Sequence, residues 1–514
     1  MKTSKINPAF YGTLLILLFF SCTTATIVRE LKTTDQLKNS STTNKFIKAH
    51  MKDGTVYILN EWHIDTKANQ LVGFGKHLDI GRRQIKEAKQ GERFPILIVE
   101  LDQLVLVETN EVGTKLGGGL VFMSGLVGGL GTYCLISPKS CFGSCPTFYA
   151  ETADTVKILA ESFSTSIMPS LEKNDIDMLY EAKYMKDFKL TVTNEAMETH
   201  SIRYANLLVF EKSGQGRIFA DGQGKFFQCS EMVEPLNCDS FLGDCLPQVR
   251  SVDQVEYFSE SDPENLNSKE EIHLRFDNQS QNPKGLIIGK RQTMMTTYLL
   301  YQGLAYMGDA ASYFLTDYEL GNRKRQLEVF NLLGGVDIYM KDSLGVWNFI
   351  SSVSETGPIA SDFNLITLPN FSERDIEIKV VLNRGLWRID YLSLAEIHDE
   401  VYPAVLAPTE VIRVNGDEIN PLGKLLDSDS YLVTFPGDKY DLHYDLPFED
   451  GEVFLDAKGY YLEWMREEWS KEQNFRKLRQ MINHPEAFLR KVAKDYKKYE
   501  PVMEETFWSS RYVY

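Results

Sequence analysis

Short runs of alternating apolar and polar residues recur along most of the chain, and they predict a protein built mainly of β-strands. The clearest run is Asp375-Ile-Glu-Ile-Lys-Val-Val, with apolar side chains on one side and mostly charged ones on the other, as the two-residue period of a strand requires. A second signal is Lys52-Asp53-Gly54 between two apolar runs. Because Asp-Gly readily adopts positive φ, we expect a hairpin turn there.

The strand signals fall into successive modules. A small β domain is predicted at 45–112, where closely spaced short strands are typical of a barrel or sandwich. Further modules are predicted as a disulfide-stapled β domain at 139–270, a β-sandwich with a helical insertion at 271–405 and a β extension at 406–465. Within the insertion, Thr296–Tyr318 has the apolar spacing of a helix.

Two helical stretches complete the predicted fold. Segment 466–514 is expected to be a helical tail whose second helix opens at Pro485, a residue suited to the first helical turn. Segment 113–138 is apolar and glycine-rich, and we expect it either to pack against protein or a membrane surface or to span a membrane, since about 20 residues cross the hydrocarbon core. The predicted fold class is therefore mainly β and multi-domain, with sandwich or jelly-roll modules, a glycine-rich apolar helix and a helical tail.

Residues 1–22 have the pattern of an export signal, with Lys2 and Lys5 before the apolar core Leu14–Phe20 and Ser21 directly before Cys22. A small residue before a cysteine is typical of a lipoprotein signal peptide, so Cys22 is the predicted lipidation site that anchors the chain to a membrane. Cleavage near Ala25 or an uncleaved anchor are the alternatives. Residues 23–44, rich in Ser, Thr, Asn and Lys, are the predicted linker.

Six cysteines follow Cys22, and an even number in an exported chain predicts disulfide bonds formed in an oxidising compartment. They are Cys134, Cys141, Cys145, Cys229, Cys238 and Cys245. The sequence does not choose among their pairings. Zinc is the alternative, but the Cys141–Cys145 spacing is loose for it and no histidine lies near either cluster. No metal site is therefore predicted.

The formal net charge of −17 argues against nucleic-acid binding, which needs positive charge to displace counterions from phosphate. The sequence contains no HExxH, no GxSxG, no Walker loop and no complete GxGxxG. No cofactor is expected, and an enzyme is the less favoured class. A pair of carboxylates from distant strands could still carry out glycoside hydrolysis without a local motif.

Four segments resemble a family of uncharacterised exported bacterial (lipo)proteins with the motif Cys-Phe-Gly-Ser-Cys-Pro-Thr-Phe-Tyr. They are Cys141–Tyr149, Phe163–Leu171, Leu190–His200 and Lys497–Tyr512. This resemblance implies architecture and export only, and it transfers no activity to any residue. The predicted strands within 336–397 resemble the galactose-binding type of jelly roll found in carbohydrate-binding modules.

These observations favour a membrane-anchored lipoprotein of the cell envelope, attached to the outer membrane and acting as a binding scaffold or accessory subunit of an envelope protein assembly. The alternative is a glycan-binding lipoprotein that uses the sandwich at 271–405, with Trp347 or Trp387 stacking on sugar rings. Both tryptophans are also candidates for the core. A hydrolase is the third hypothesis, and it requires a deep pocket lined by converging carboxylates.

Overall fold

The structure, a computed structural model, describes residues 26–113 and 145–509 except 33, 39–46, 79–83, 90–95, 213–215, 278–279, 281, 312–327, 355–356, 359, 371–373 and 465–471. The predicted export signal with Cys22, the glycine-rich segment beyond Gly113, and both Cys134 and Cys141 lie outside the described residues. The chain divides into two compact units, Met1–Gly129 and Leu130–Tyr514.

The first unit is one antiparallel sheet with a short helix. Its strands are β1 (Thr26–Lys32), β2 (Ile47–Met51), β3 (Val56–Asp65), β4 (Gln70–Leu78), β5 (Gln84–Ala88), β6 (Leu97–Glu100) and β7 (Leu104–Gly113), and its helix is α1 (Thr34–Lys38). The strand order is β1-β7-β2-β3-β4-β5, with β6 also paired to β4. The hairpin predicted at Asp53 is confirmed, because β2 pairs with β3 and Gly54 has φ 81°.

Part of the linker predicted at 23–44 is ordered structure, which corrects that prediction. Strand β1 pairs along its whole length with β7, from Thr26 opposite Gly113 to Lys32 opposite Val107. Helix α1 follows and buries Leu37 in the core of this unit. The polar composition is typical of a tether, but the partner residues in β7 come 75 to 87 positions later in the chain, and no local pattern in the linker indicates this pairing.

The second unit contains most of the strands and helices. The strands are β8 (Thr147–Glu151), β9 (Val156–Glu161), β10 (Lys173–Met178), β11 (Asp187–Thr193), β12 (Glu198–Glu211), β13 (Arg217–Ala220), β14 (Phe226–Val233), β15 (Asn237–Ser240), β16 (Gly243–Asp244), β17 (Lys269–Asp277), β18 (Lys284–Gln292), β19 (Val336–Lys341), β20 (Trp347–Val353), β21 (Asp362–Thr367), β22 (Asp375–Asn383), β23 (Trp387–Val401), β24 (Ala404–Leu406), β25 (Glu410–Arg413), β26 (Leu432–Thr434), β27 (Lys439–Asp445) and β28 (Gly451–Glu463). The helices are α2 (Leu246–Val249), α3 (Met295–Met307), α4 (Glu328–Leu333), α5 (Pro421–Leu426), α6 (Phe475–Asn483), α7 (Pro485–Lys497) and α8 (Glu500–Ser509).

These strands form four antiparallel sheets, which fall into two pairs according to the stretches of chain that build them. One pair has the orders β10-β28-β12-β24, with β26 also on β12, and β25-β27-β11-β8-β9. The other pair has the orders β13-β14-β23-β18-β21 and β16-β15-β17-β22-β19-β20. Phe210 and Phe454 from the first pair share a core cluster with Phe226, Ile287 and Ile397 from the second. The prediction of a mainly β fold with sandwich-like sheets is confirmed.

The module boundaries predicted within 139–465 differ from this topology. Strand β12 pairs with β28, so that His200 lies opposite Tyr461, and β11 pairs with β27. The first pair of sheets is thus built from both ends of the unit, and segment 217–401 is inserted between them. In the same way β14, from the predicted module 139–270, pairs with β23, from the predicted module 271–405. Antiparallel pairing between distant segments carries no local sequence signal, which is why the boundaries were misplaced.

The predicted helices are present where the structure describes them. Helix α3 covers the first part of the stretch predicted at Thr296–Tyr318, and the helical tail is confirmed as α6, α7 and α8, with Pro485 in the first turn of α7. Tail side chains such as Met481, Phe488 and Tyr496 are buried. Within the described residues, every helix is too short or too polar to cross a membrane.

Candidate binding surfaces

One face of the six-stranded sheet is exposed and aromatic. Along β19, Val336, Ile338 and Met340 point into the core, so the intervening residues point to the opposite face because side chains alternate along a strand. Cross-strand register places four side chains of that face in a row across β17, β22, β19 and β20, namely His273, Lys379, Tyr339 and Phe349.

Trp347, the first residue of β20, lies beside this row of side chains. Its ring is 5.3 Å from Nζ of Lys379 and 5.6 Å from Nζ of Lys341, measured to the ring centroid. The His273 ring meets it edge-on at 5.7 Å, and the rings of Tyr339 and Phe349 meet edge-on at 5.5 Å. Phe349 is 56% exposed and Trp347 is half-buried. We call Trp347, Tyr339, Phe349, His273 and Lys379 the aromatic face.

The charges of the aromatic face are paired. Lys379 Nζ lies 3.0 Å from Glu271 Oε1, and Lys341 Nζ lies 2.9 Å from Glu377 Oε2. The hydrogen bond from Lys379 lowers the pKa of Glu271, so this carboxylate stays ionised at neutral pH. Lysines above aromatic rings make cation–π contacts that hold the rings in place. The face therefore offers preformed ring surfaces with polar groups around them.

The second candidate platform, Trp387, does not share this surface. It is 1% exposed at the start of β23 and belongs to the core. Its ring therefore cannot stack on an external ligand, and the speculative ligand-binding role predicted for Trp387 is corrected to a packing role. Burial of so large a side chain is the ordinary use of tryptophan in a sandwich core.

The cysteines divide into one disulfide bond and two free thiols among the described residues. Cys238 and Cys245 form a disulfide bond, whereas Cys145 and Cys229 are free and buried. This corrects the predicted disulfide role of Cys145 and Cys229, whereas Cys134 and Cys141 lie outside the described residues. Burial raises the pKa of both thiols, to about 12 for Cys229, so neither is a reactive thiolate.

The disulfide closes a small hairpin that displays apolar side chains. Strands β15 and β16 pair with Ser240 opposite Gly243, and the turn between them is Phe241-Leu242. Phe241 is 64% exposed and Leu242 is 61% exposed. Turn positions are usually filled by Gly, Asn, Asp, Pro or Ser. We call this turn the hairpin tip.

Sequence reasoning found Trp347 but missed the rest of the aromatic face and the hairpin tip. The alternation in β22 was recognised, and it already placed Lys379 on the side opposite the core. Tyr339 follows the same alternation in β19. However, the cross-strand register that brings Tyr339 next to Lys379 cannot be predicted from the sequence of either strand alone. At the hairpin tip, Ser-Phe-Leu-Gly between two cysteines was the available signal.

Compared with known proteins, the sequence matches no family profile and no curated protein. Among the described residues, no group of three or more His, Cys, Asp and Glu side chains is arranged to hold a metal ion.

Proposed function

We propose that this chain is a lipoprotein of the cell envelope, anchored to the outer membrane through Cys22, that acts as a binding scaffold or accessory subunit of an envelope protein assembly. The export signal and Ser21-Cys22 support the location. The hairpin tip supports the function, because two adjacent large apolar side chains exposed together form a patch of the kind that a partner covers, whereas a single exposed apolar residue is ordinary. Phe241 stays 64% exposed although Arg384 Cζ lies 4.5 Å from its ring centroid.

The hairpin tip is suited to contact a protein. The disulfide bond between Cys238 and Cys245 restricts the hairpin, so little conformational entropy is lost when a partner binds. Asp239 and Asp244 lie directly opposite each other below the tip and are both exposed. Like charges at opposed positions repel, and a basic rim on the partner would relieve this repulsion. The partner surface that fits is an apolar pocket with Lys or Arg at its rim.

The test compares the intact lipid-anchored protein with the double variant Phe241→Ser, Leu242→Ser. Proteins that copurify from detergent-solubilised envelopes are quantified by mass spectrometry, and the control is Leu344→Ser, which removes another exposed apolar side chain, 86% exposed in the β19–β20 loop. We expect recovery of a specific partner to fall at least tenfold for the double variant and to be unchanged for the control. Recovery of the wild-type protein without a reproducible partner, or equal recovery by the double variant, contradicts the proposal.

Membrane attachment is tested separately. Cys22→Ser removes the thiol that would carry the lipid through a thioether bond. The variant should therefore be absent from the membrane fraction, whereas the wild-type chain should stay in that fraction until detergent is added. A Cys22→Ser chain that still sediments with outer membranes would exclude lipidation as the anchor.

The aromatic face supports a second candidate function, glycan binding through the sheet of β17, β19, β20 and β22. Sugar rings stack on exposed aromatic rings, and polar groups beside them bond to hydroxyls. Trp347 has this environment, with Lys341 and Lys379 at its ring and Glu271 and Glu377 next to them.

A glycan array tests this candidate with folded wild-type protein and Trp347→Ala, with Leu344→Ser as the control. We expect Trp347→Ala to lose the signals that the wild-type protein gives, since stacking contacts lie at the centre of such sites. An array without signals for the folded wild-type protein would remove this candidate and leave the scaffold proposal standing.

A further inference from the structure

A cleft in the second unit is independent of both binding surfaces. Its volume is about 530 Å³, a size that holds a small organic molecule. It lies where β9, β10, the segment at 252–256, β18 and β23 meet. Leu159, Met178 and Phe363 form an apolar part of its wall, and Tyr149 and Tyr180 also line it.

Asp390 provides the distinctive polar group of this cleft. It stands on β23, lines the cleft and is only 2% exposed. One carboxylate oxygen, Oδ1, accepts a hydrogen bond from the backbone N–H of Gln254 at 3.1 Å. Among the described residues no Lys, Arg or His forms an ion pair with it. A buried carboxylate without a cation is costly.

The cations near the cleft are already engaged. Arg291 makes two hydrogen bonds to Glu256, at 2.5 and 2.7 Å, and Lys157 bonds to Glu181 at 2.6 Å. Arg291 also lies 3.5 Å from Glu504, and Arg388 pairs with both Glu256 and Glu504. Each lysine and arginine that lines the cleft is thus paired with a carboxylate. When Asp390 is ionised, its negative charge is therefore not neutralised by any of these cations.

The backbone next to Asp390 is strained. Gln254, whose N–H bonds to the Asp390 carboxylate, has φ +67° although it is not glycine. Residues held in this region cost free energy and persist where the surrounding structure needs them. Here the strain places Gln254 against Asp390, which fixes the carboxylate at the wall of the cleft.

We propose that this cleft binds a small organic ammonium ion, with its ammonium group on the Asp390 carboxylate and its apolar body against Met178 and Phe363. The ligand supplies the positive charge that the cleft lacks, and the apolar wall favours an alkyl chain over an inorganic cation. An anion is disfavoured by the remaining negative charge, and a neutral alcohol cannot compensate it.

Binding depends on pH in a defined direction. Burial, together with the negative charges of Glu256 and Asp253, raises the pKa of Asp390 to about 7, although backbone hydrogen bonds from Asp253 and Gln254 oppose this rise. An alkylamine stays protonated throughout this range, so only ionisation of Asp390 changes. Because the ammonium ion needs the ionised carboxylate, the apparent affinity falls about thirtyfold from pH 8.5 to pH 5.5. Binding near pH 7 is accompanied by release of a proton from Asp390.

The experiment is isothermal titration calorimetry of the full chain with 1-hexylamine, with 1-hexanol and hexanoate as probes of the same length. We expect hexylamine to bind at pH 8.5, to bind about thirtyfold more weakly at pH 5.5, and to lose binding at least tenfold in Asp390→Asn. The control Asp187→Asn changes a carboxylate whose side chain is 82% exposed on β11, and it should bind as the wild-type protein does.

Equal binding of hexanol or hexanoate, or unchanged hexylamine binding by a folded Asp390→Asn chain, overturns the proposal, as does the absence of hexylamine binding to the wild-type chain. A thermal melt of Asp390→Asn verifies that it is folded. Met178→Ala provides a second variant, since removal of an apolar side chain from the wall should weaken binding of the alkyl chain while Asp390 is retained, and the same thermal melt verifies its folding.

Discussion

At the scale of single residues, Trp387 should stabilise the fold far more than Trp347. Trp387 is 1% exposed and Trp347 is half-buried. Truncation of a buried tryptophan removes its transfer free energy and leaves a cavity, so Trp387→Ala should lower the free energy of unfolding by about 3–5 kcal/mol. Trp347→Ala should lower it by about 1 kcal/mol or less.

Urea denaturation followed by circular dichroism measures both variants, with Leu344→Ser as an exposed control. Similar losses for the two tryptophan variants would mean that the aromatic face is packed against something in the folded protein, and would remove Trp347 as a ligand platform.

The buried carboxyl of Asp390 makes a second prediction, which does not depend on any ligand. Its pKa in the folded chain is about 7, whereas its ordinary value is 3.8. Between these two pH values the carboxyl is therefore mostly protonated in the folded chain and mostly ionised in the unfolded chain. The stability it supports is complete below about pH 4 and is lost as pH rises toward 7. Asp390→Asn should therefore raise the melting temperature at pH 8 and leave it nearly unchanged at pH 4.

Glu396 serves as the comparison, because its pKa is shifted in the opposite direction to that of Asp390. Burial raises its pKa, but hydrogen bonds from Lys284, Ser280 and Asn282 outweigh this and lower the pKa to about 2. Its contribution to stability is present above pH 4.5 and is lost as pH falls toward 2. Glu396→Gln should thus lower the melting temperature at pH 8, and by less at pH 3. If the melting temperature at pH 8 changed in the same direction in Asp390→Asn and Glu396→Gln, this result would contradict the two pKa shifts.

At the scale of secondary-structure elements, the β15–β16 hairpin depends on its disulfide. Cross-linking Cys238 to Cys245, which are separated by seven positions, restricts the unfolded chain and contributes about 2–3 kcal/mol in the chain-entropy picture. The double variant Cys238→Ser, Cys245→Ser should lose up to this amount in urea denaturation. In hydrogen exchange of this variant, the amides of the hairpin should open more readily than those of the other strands, because the hairpin is at the edge of its sheet.

Thiol mapping tests the assignment of the cysteines directly. After denaturation without a reducing agent, alkylation and peptide mass spectrometry should find Cys145 and Cys229 alkylated and the Cys238 and Cys245 peptides still joined. In the native protein both free thiols should be protected, because they are buried. A disulfide-linked peptide that joins Cys229 to another cysteine would show that the disulfide pairing of the protein differs from this assignment.

Elements with strong local signals could be predicted from the sequence. Asp53-Gly54 forms its turn because the required positive φ is cheap there, and α7 begins at Pro485 because proline is favoured in a first helical turn. The aromatic face is different. His273 and Phe349 reach one row only after four strands have paired in register, and neither strand specifies its neighbour.

At the scale of the whole molecule, the inserted topology predicts which fragments fold. Fragment 26–113 contains every strand of its sheet and its own core, so it should fold alone. Fragment 139–270 lacks β27 and β28, the partners of β11 and β12, and should remain unfolded. Fragment 145–509 retains both pairs of sheets and should fold.

Far-UV circular dichroism and the dispersion of amide NMR resonances distinguish these outcomes. Fragment 271–405 is a further check, because it lacks β14, the partner of β23. A dispersed spectrum from fragment 139–270 would show that this segment is an independent module and that the pairing of β12 with β28 is not required for folding.

The sequence by itself determined the β class, the strands and turns with strong local patterns, and the helical tail, because these depend on spacing between neighbours along the chain. The tertiary structure decided which strands pair, that 217–401 lies within one unit, that Cys238 bonds to Cys245, and that Trp347 is at the surface while Trp387 is buried. These outcomes depend on contacts between residues more than 250 positions apart in the chain, such as His200 opposite Tyr461. Such contacts are selected by the packing of the whole unit, and no local pattern encodes them.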